Sequence, residues 1–139
     1  MPHWIKALVN RSANKAFLVG LAGVVRSNQG EVLILRHTYR PGVPHGVPTG
    51  WLTRAETPGE ALKREIWEET GFDVEFVRVL RVDVGDNPPR LDVRLEYRFV
   101  GGVFRASAEV SEAGFFALDS LPLLLRAQRE LLAVLSSRD

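Results

Sequence analysis

The stretch from Thr57 to Gly71, TPGEALKREIWEETG, constrains the fold of this chain more than any other. Thr57 is a good N-cap, Pro58 stands at the first helical position, and Glu60 completes a Thr-x-x-Glu capping box. Gly71 is positioned to end the helix in the left-handed conformation. A helix from Pro58 to Thr70 is therefore predicted. On its surface Glu69 lies about 40° to one side of Glu65, and Glu68 about 60° to the other. Leu62 and Ile66 fall on the flank that would face a sheet. Like charges at this spacing repel by a few tenths of a kcal/mol per pair. A solvated acidic face is the ordinary state of such a helix. The sharper reading is a hard divalent cation: Mg²⁺ prefers carboxylate oxygens, is commonly shared with substrate phosphates, and would offset the repulsion.

The rest of the chain supplies the layers around that helix. Ala16 to Arg26 is apolar and valine-rich, which predicts a buried strand, and SNQG turns it into a return strand over Glu31 to His37. Thr38 to Thr49 holds three prolines and two glycines and reads as a loop. Phe72 to Val84 predicts a strand with a bulge, followed by a turn at GDNPPR. Leu91, Val93, Leu95, Tyr97 and Phe99 alternate with Asp92, Arg94, Glu96 and Arg98, as in a half-buried strand. A short strand is expected at Phe115 to Leu118. Leu121, Leu124, Leu125, Leu131, Leu132 and Leu135 share one helical stripe, which predicts a final amphipathic helix. Trp4, Ile5 and Leu8 suggest a short opening helix. The elements imply an α/β/α layered domain, one domain over residues 1–139.

Composition narrows the function classes. The chain has 18 basic and 17 acidic side chains and a net charge of +1, so bulk charge gives no reason to expect a nucleic-acid or membrane partner. There is no cysteine, which excludes disulfides and thiolate metal sites. Ala16 to Val25, among the longest apolar runs, is too short to span a bilayer, and no signal-peptide pattern opens the chain. A soluble cytoplasmic protein is expected.

The spacing around the helix decides between the acidic face and the cation. Gly50 is followed after five residues by Glu56, after seven more by Arg64-Glu65-Ile66, then by Glu68-Glu69 and by Gly71-Phe72. This resembles the Nudix box at every defined position. At ordinary residue frequencies such a pattern arises in a chain of this length on the order of once in ten million times. The resemblance implies the Nudix fold, an α/β/α sandwich with a mixed β-sheet. It also implies a metal-dependent hydrolase that cuts the diphosphate linkage of a nucleoside diphosphate joined to another moiety. That substrate would be a nucleoside triphosphate, a nucleotide sugar such as ADP-ribose, or a CDP-alcohol. The alternative is a non-catalytic Nudix-fold nucleotide-binding or sensor domain. Trp51 stands where many members have a second glycine.

Carried onto this sequence, the family pattern makes Glu65 and Glu69 metal ligands for Mg²⁺, with Mn²⁺ as a substitute. Glu68 would ligate a metal or position water, and Gly50 would offer its carbonyl. Arg64 and Glu56 would support these carboxylates. In the tail, AEVSEAGFFALDSLP resembles a family segment that carries a further metal-binding or base glutamate; Glu109 is the better match and Glu112 the second. Before the box, Arg36, Tyr39 and Arg40 are candidate contacts to phosphate or base. His37 and His45 lie among them without a third histidine or cysteine nearby to complete a metal site. Pro88, sixteen residues beyond the box, matches a position associated with ADP-ribose hydrolases, though DNPPRL also reads as a plain hairpin turn. A small-molecule nucleotide is the expected partner, and a homodimer the expected assembly if there is one.

Overall fold

The computed structural model describes residues 2–4 and 17–138. One seven-stranded sheet organises the chain. Its strands are β1 (Leu18–Arg26), β2 (Val32–His37), β3 (His45–Gly46), β4 (Thr49–Trp51), β5 (Phe72–Asp86), β6 (Pro89–Gly102) and β7 (Val110–Phe116). The helices packed on it are α1 (Pro58–Thr70) and α2 (Arg126–Arg138). The main path runs β3-β2-β1-β6-β5, with β4 paired to β1 and β7 to β2. β1 and β6 are parallel, and the other pairs are antiparallel. The sheet is thus mixed, as expected. Much of the opening helix expected at Trp4, Ile5 and Leu8 lies outside the described residues.

Both faces of the central strands are covered, which explains their nearly continuous apolar sequence. Leu21 and Val25 of β1 and Leu33 and Leu35 of β2 pack with Leu62 and Ile66 of α1. The alternate residues Ala22, Val24, Val32 and Ile34 pack with Leu131, Leu132 and Leu135 of α2. The period of two along each strand thus assigns one set to each helix. Tyr97 is fully buried against the first layer, and its hydroxyl donates to the Gly59 carbonyl at 2.6 Å, tying β6 to the first turn of α1.

The punctuation of α1 is as the sequence indicates. Thr57 Oγ1 accepts from the Glu60 amide at 3.2 Å. Gly71 has φ 79°, and its amide donates to the Trp67 carbonyl at 2.8 Å. A Cβ at Gly71 would also stand 2.7 Å from the Val103 carbonyl oxygen, so conformation and space both require glycine there. The bulged strand is β5, whose pairing with β6 shifts register three times. Pro88 lies in the turn between these two strands, where Asp86 pairs with Pro89.

Three expectations change. The proline-rich loop contains β3 and leads straight into β4; two and three residues are too few to show alternation. The strand expected from Phe115 begins at Val110 and pairs along β2, so the polar Ser111 and Glu112 hid its start. The final helix begins at Arg126 rather than at Leu121. Leu124 still joins the α2 core, so its place in the leucine stripe reflects burial without helical phase. Pro122 opposes helical backbone at the residue before it.

Candidate active site

The helix punctuation fixes where the carboxylates emerge. Buried Leu62 and Ile66 set the rotation of α1 on the sheet, so Glu65, one residue before Ile66, leaves at the core boundary. Its side chain is 16% exposed, against 49% for Glu68 one turn on. Glu65 lies directly over Gly50 of β4: a Cβ there would sit 1.5 Å from Glu65 Oε2. Gly50 is therefore a steric requirement of the glutamate's position.

Arg64 holds the acidic group together. Its Nε donates to both oxygens of Glu56 at 3.2 Å, and Nη2 donates to Glu56 Oε1 at 3.0 Å. Nη1 donates to both oxygens of Glu68 at 3.2 Å, and Nη2 stands 4.0 Å from Glu65 Oε1. The Arg64 hydrogen bonds hold the Glu56 carboxyl below the usual carboxylate range. They raise Arg64 itself.

The other carboxylates move the opposite way. Burial pushes Glu65 up to about 6, with the nearby acids adding to the effect of burial and the Arg64 charge opposing it. Glu69 is pushed up to about 8, first by burial, then by a side-chain hydrogen bond with Glu109 and by that residue's charge. Two carboxyls in such contact cannot both ionise cheaply, which favours the protonated form of Glu69. The backbone of the Glu109 loop is tied to the end of β2: Thr38 donates through its amide to the Glu109 carbonyl at 2.9 Å and through Oγ1 to the Ala108 carbonyl at 2.7 Å.

These groups form one wall of a cavity of about 960 Å³. Gly50, Arg64, Glu65, Glu68, Glu69 and Glu109 line this end. Tyr39 and Arg40 line it farther along, whereas Arg36, expected with them, is exposed on β2 and is not part of the lining. Glu112 pairs with Arg36 across β2 and β7 and is likewise outside it. His37 is buried, with Nε2 3.2 Å from the Val47 carbonyl and Nδ1 3.2 Å from the Tyr39 hydroxyl. Burial, followed by the Arg40 charge, lowers its pKa. A neutral ring would donate to Val47 and accept from Tyr39, which makes His37 a prop for the cavity wall.

Among the described residues, no three acidic or histidine side chains stand close enough to enclose a metal ion as they are. Glu68 is engaged by Arg64 and Glu69 by Glu109. A closed ligand shell therefore requires these side chains to exchange partners. The donor chemistry nevertheless fits a hard cation: the set is all oxygen, and the charges of Glu65, Glu69 and Glu109 oppose one another.

The cavity also has a second half that the sequence reading did not foresee, lined by Trp51, Arg90, Asp92, Arg94 and Gln128. Asp92 and Arg94 were legible only as the polar side of an alternating strand, which suggests solvent. That face is instead partly enclosed: Glu96, next on it, is 7% exposed and accepts from Arg78 Nε at 2.7 Å. Trp51 had no signal beyond standing in place of a glycine.

Comparison with known proteins is consistent with this geometry. The NUDIX domain model matches residues 17–135. The chain is 34% identical over 105 residues to a MutT-like protein of Streptomyces ambofaciens, covering 74% of this chain and 66% of the relative. It is 31% identical over 110 residues to an ADP-ribose pyrophosphatase of Methanocaldococcus jannaschii, covering 76% and 65%. Both matches span slightly less than two thirds of the relative's length. Among solved structures, an ADP-ribose pyrophosphatase from Streptococcus suis superposes with a TM-score of 0.72 at 26% identity, covering 89% of this chain and 94% of that one. Among the described residues no helix is long and apolar enough to cross a membrane.

Proposed function

The chain belongs to the NUDIX domain family, and from that premise we propose that it hydrolyses the phosphoanhydride bond of a nucleoside diphosphate linked to another moiety. The observation that carries this reading is the meeting of Glu65, Glu69 and Glu109 on one cavity wall beside Gly50. Glu65 and Glu69, with the Gly50 carbonyl and either Glu68 or Glu109, are the groups that would hold Mg²⁺ or Mn²⁺. A cation bound there would supply charge neutralisation for the diphosphate and a more acidic water. Arg64, bridging Glu56 and Glu68, keeps the acidic side chains oriented, as groups behind a metal site commonly do. A carboxylate left outside the metal shell, Glu68 or Glu109, would take the proton from the attacking water. Tyr39 and Arg40 would contact the substrate from the other side of the cavity, and Arg is suited to a phosphate oxygen. Support for a nucleotide-sugar substrate comes from the two ADP-ribose pyrophosphatases among the similar proteins, so ADP-ribose heads the candidates, with nucleoside triphosphates and CDP-alcohols behind it.

The test is release of nucleoside monophosphate from a panel of ADP-ribose, other nucleotide sugars, nucleoside triphosphates and CDP-alcohols, with and without divalent metal. Metal-dependent turnover of at least one member is expected. Hydrolysis that persists in excess chelator would sink the assignment of Glu65 and Glu69. Tight binding without turnover across the panel would favour a nucleotide-binding module instead.

A further inference from the structure

Strand register builds a groove that the glutamate helix does not require. Gly20 of β1 lies between Trp51 of β4 and Asp92 of β6. Two residues on, Ala22 lies between Thr49 and Arg94. Directly paired residues point to the same face of a sheet. The two small residues therefore form a floor along β1, with Asp92 and Arg94 on one side and Trp51 and Thr49 on the other. Two strand spacings separate the backbones of these walls, about 9–10 Å. All six residues line the cavity that also holds the carboxylates.

The polar groups of the groove are fixed but incompletely matched. Arg90 Nε donates to both Asp92 oxygens, at 3.2 and 3.0 Å. The Arg94 side chain is only 20% exposed, stands 4.0 Å from Asp92 Oδ2, and makes no hydrogen bond among the described residues. Arg40 Nη2 donates to Thr49 Oγ1 at 3.4 Å, and its guanidinium rests over the Tyr39 ring. Arg40 Nη1 is buried with no hydrogen-bond partner among the described residues. The partly exposed Arg94 guanidinium, with only the Asp92 carboxylate at 4.0 Å beside it, keeps donors free for the acceptor atoms of a ligand in the cavity. Trp51 is 49% exposed beside this floor and offers a flat apolar face.

We propose that this groove is the nucleobase subsite: the base stacks on Trp51, Arg94 donates to its acceptor atoms, and Asp92 accepts from a ring N–H or amino group. The inference rests on the diphosphate reading for the other end of the cavity and names what recognises the nucleoside half of the substrate. A carboxylate beside guanidinium donors suits the mixed donor and acceptor edge of a base. The same donors would also meet a bare phosphate, and the experiment separates the two sources.

Binding of AMP, GMP, CMP, UMP and ribose 5-phosphate is measured by calorimetry without metal. At least one mononucleotide should bind about tenfold or more tighter than ribose 5-phosphate, the scale of one stacked base. Trp51→Ala should remove most of that advantage and Trp51→Phe should keep it, with melting curves confirming that both fold. Arg94→Met should weaken the preferred mononucleotide about tenfold and reduce discrimination among the four bases. In turnover, both Trp51→Ala and Arg94→Met should raise KM far more than they lower kcat. Equal binding of ribose 5-phosphate and every mononucleotide would overturn the inference. So would a base preference unchanged in Trp51→Ala and Arg94→Met. Mononucleotide binding that follows these variants, in a protein that hydrolyses nothing on the panel, would keep the groove and sink only the enzymatic reading.

Discussion

The two ends of the cavity carry opposite electrostatic problems. At the α1 end Glu65, Glu68, Glu69 and Glu109 face one another with Arg64 as the cation in their midst. Along β1, Arg40, Arg90 and Arg94 line the cavity with Asp92 as the carboxylate among them. The first end has excess acceptors, and burial pushes Glu65 up to about 6 and Glu69 up to about 8. The second has excess donors, one of them buried and without a hydrogen-bond partner among the described residues. A metal-bound diphosphate joined to a nucleoside would complement both ends at once. Two incomplete surfaces in a single cavity are what a two-part ligand requires, and neither end alone argues for as much. The ends also differ in construction. The acidic end is presented largely by one helix, whereas the basic groove needs three strands in register.

The largest effect expected is at the acidic end. Glu69→Gln should lower metal-dependent hydrolysis by more than about a hundredfold, since changes merely behind a metal site already cost 10–100-fold. The amide keeps the shape and removes the charge that a hard cation needs. Circular dichroism should show the fold unchanged. Retention of most activity at saturating Mg²⁺ would end the assignment of Glu69 and leave the two ends without their functional contrast.

That difference in construction also decided what could be read in advance. Thr57, Pro58, Glu60 and Gly71 act within a few residues of themselves, so the limits of α1 and the sector of its glutamates were legible from local chemistry. The central strands were legible because burial on both faces leaves a continuous apolar run. The groove depends on Trp51, Gly20 and Asp92 meeting across β4, β1 and β6. Pairings over such separations leave no periodic mark, and Asp92 and Arg94 in an alternating strand look like any solvated edge. Glu109 lay between these cases: the tail motif singled it out, but its contact with Glu69 depends on the loop that Thr38 anchors. The start of α2 is not legible in the sequence, because burial of Leu124 imitates helical phase.

Gly50→Ala probes the point where a strand meets the helix chemistry. The new methyl group would overlap Glu65 Oε2, so the carboxylate must swing away or β4 must shift. Activity should fall by roughly tenfold to a hundredfold, the cost of misplacing a metal-binding group. The melting temperature should change by no more than about the few degrees of a 1 kcal/mol effect. A variant with wild-type turnover would show that Glu65 does not need its observed position.

Arg64→Met should have a smaller effect on catalysis, about tenfold, by releasing Glu56 and Glu68. Its effect on stability should be small, because partly exposed ion pairs contribute about 0–1 kcal/mol. Arg64→Lys should recover little, since a lysine cannot donate in a fork to both Glu56 and Glu68. Full rescue by lysine would reduce Arg64 to a source of positive charge.

The smallest effect expected is on stability, and it sharpens the contrast without substrate. The folded pKa values of Glu65 and Glu69 lie above the ordinary carboxylate value, at about 6 and about 8. The folded chain therefore binds more protons than the unfolded chain between these values and the unfolded value near 4.5. Stability falls with pH wherever the native state holds the extra protons. Metal-free protein should lose stability as pH rises from about 4.5 to about 8, with the Glu65 part complete near 6. A divalent cation that binds only the folded state adds stability by mass action, and most strongly once these carboxyls have ionised. Thermal melts with and without millimolar Mg²⁺ or Mn²⁺ should therefore diverge as pH rises toward 8. Glu69→Gln should flatten the metal-free curve above pH 6 and reduce the divergence. Parallel melts across that range, or a divergence unaltered in Glu69→Gln, would return the glutamates of α1 to a solvated acidic face.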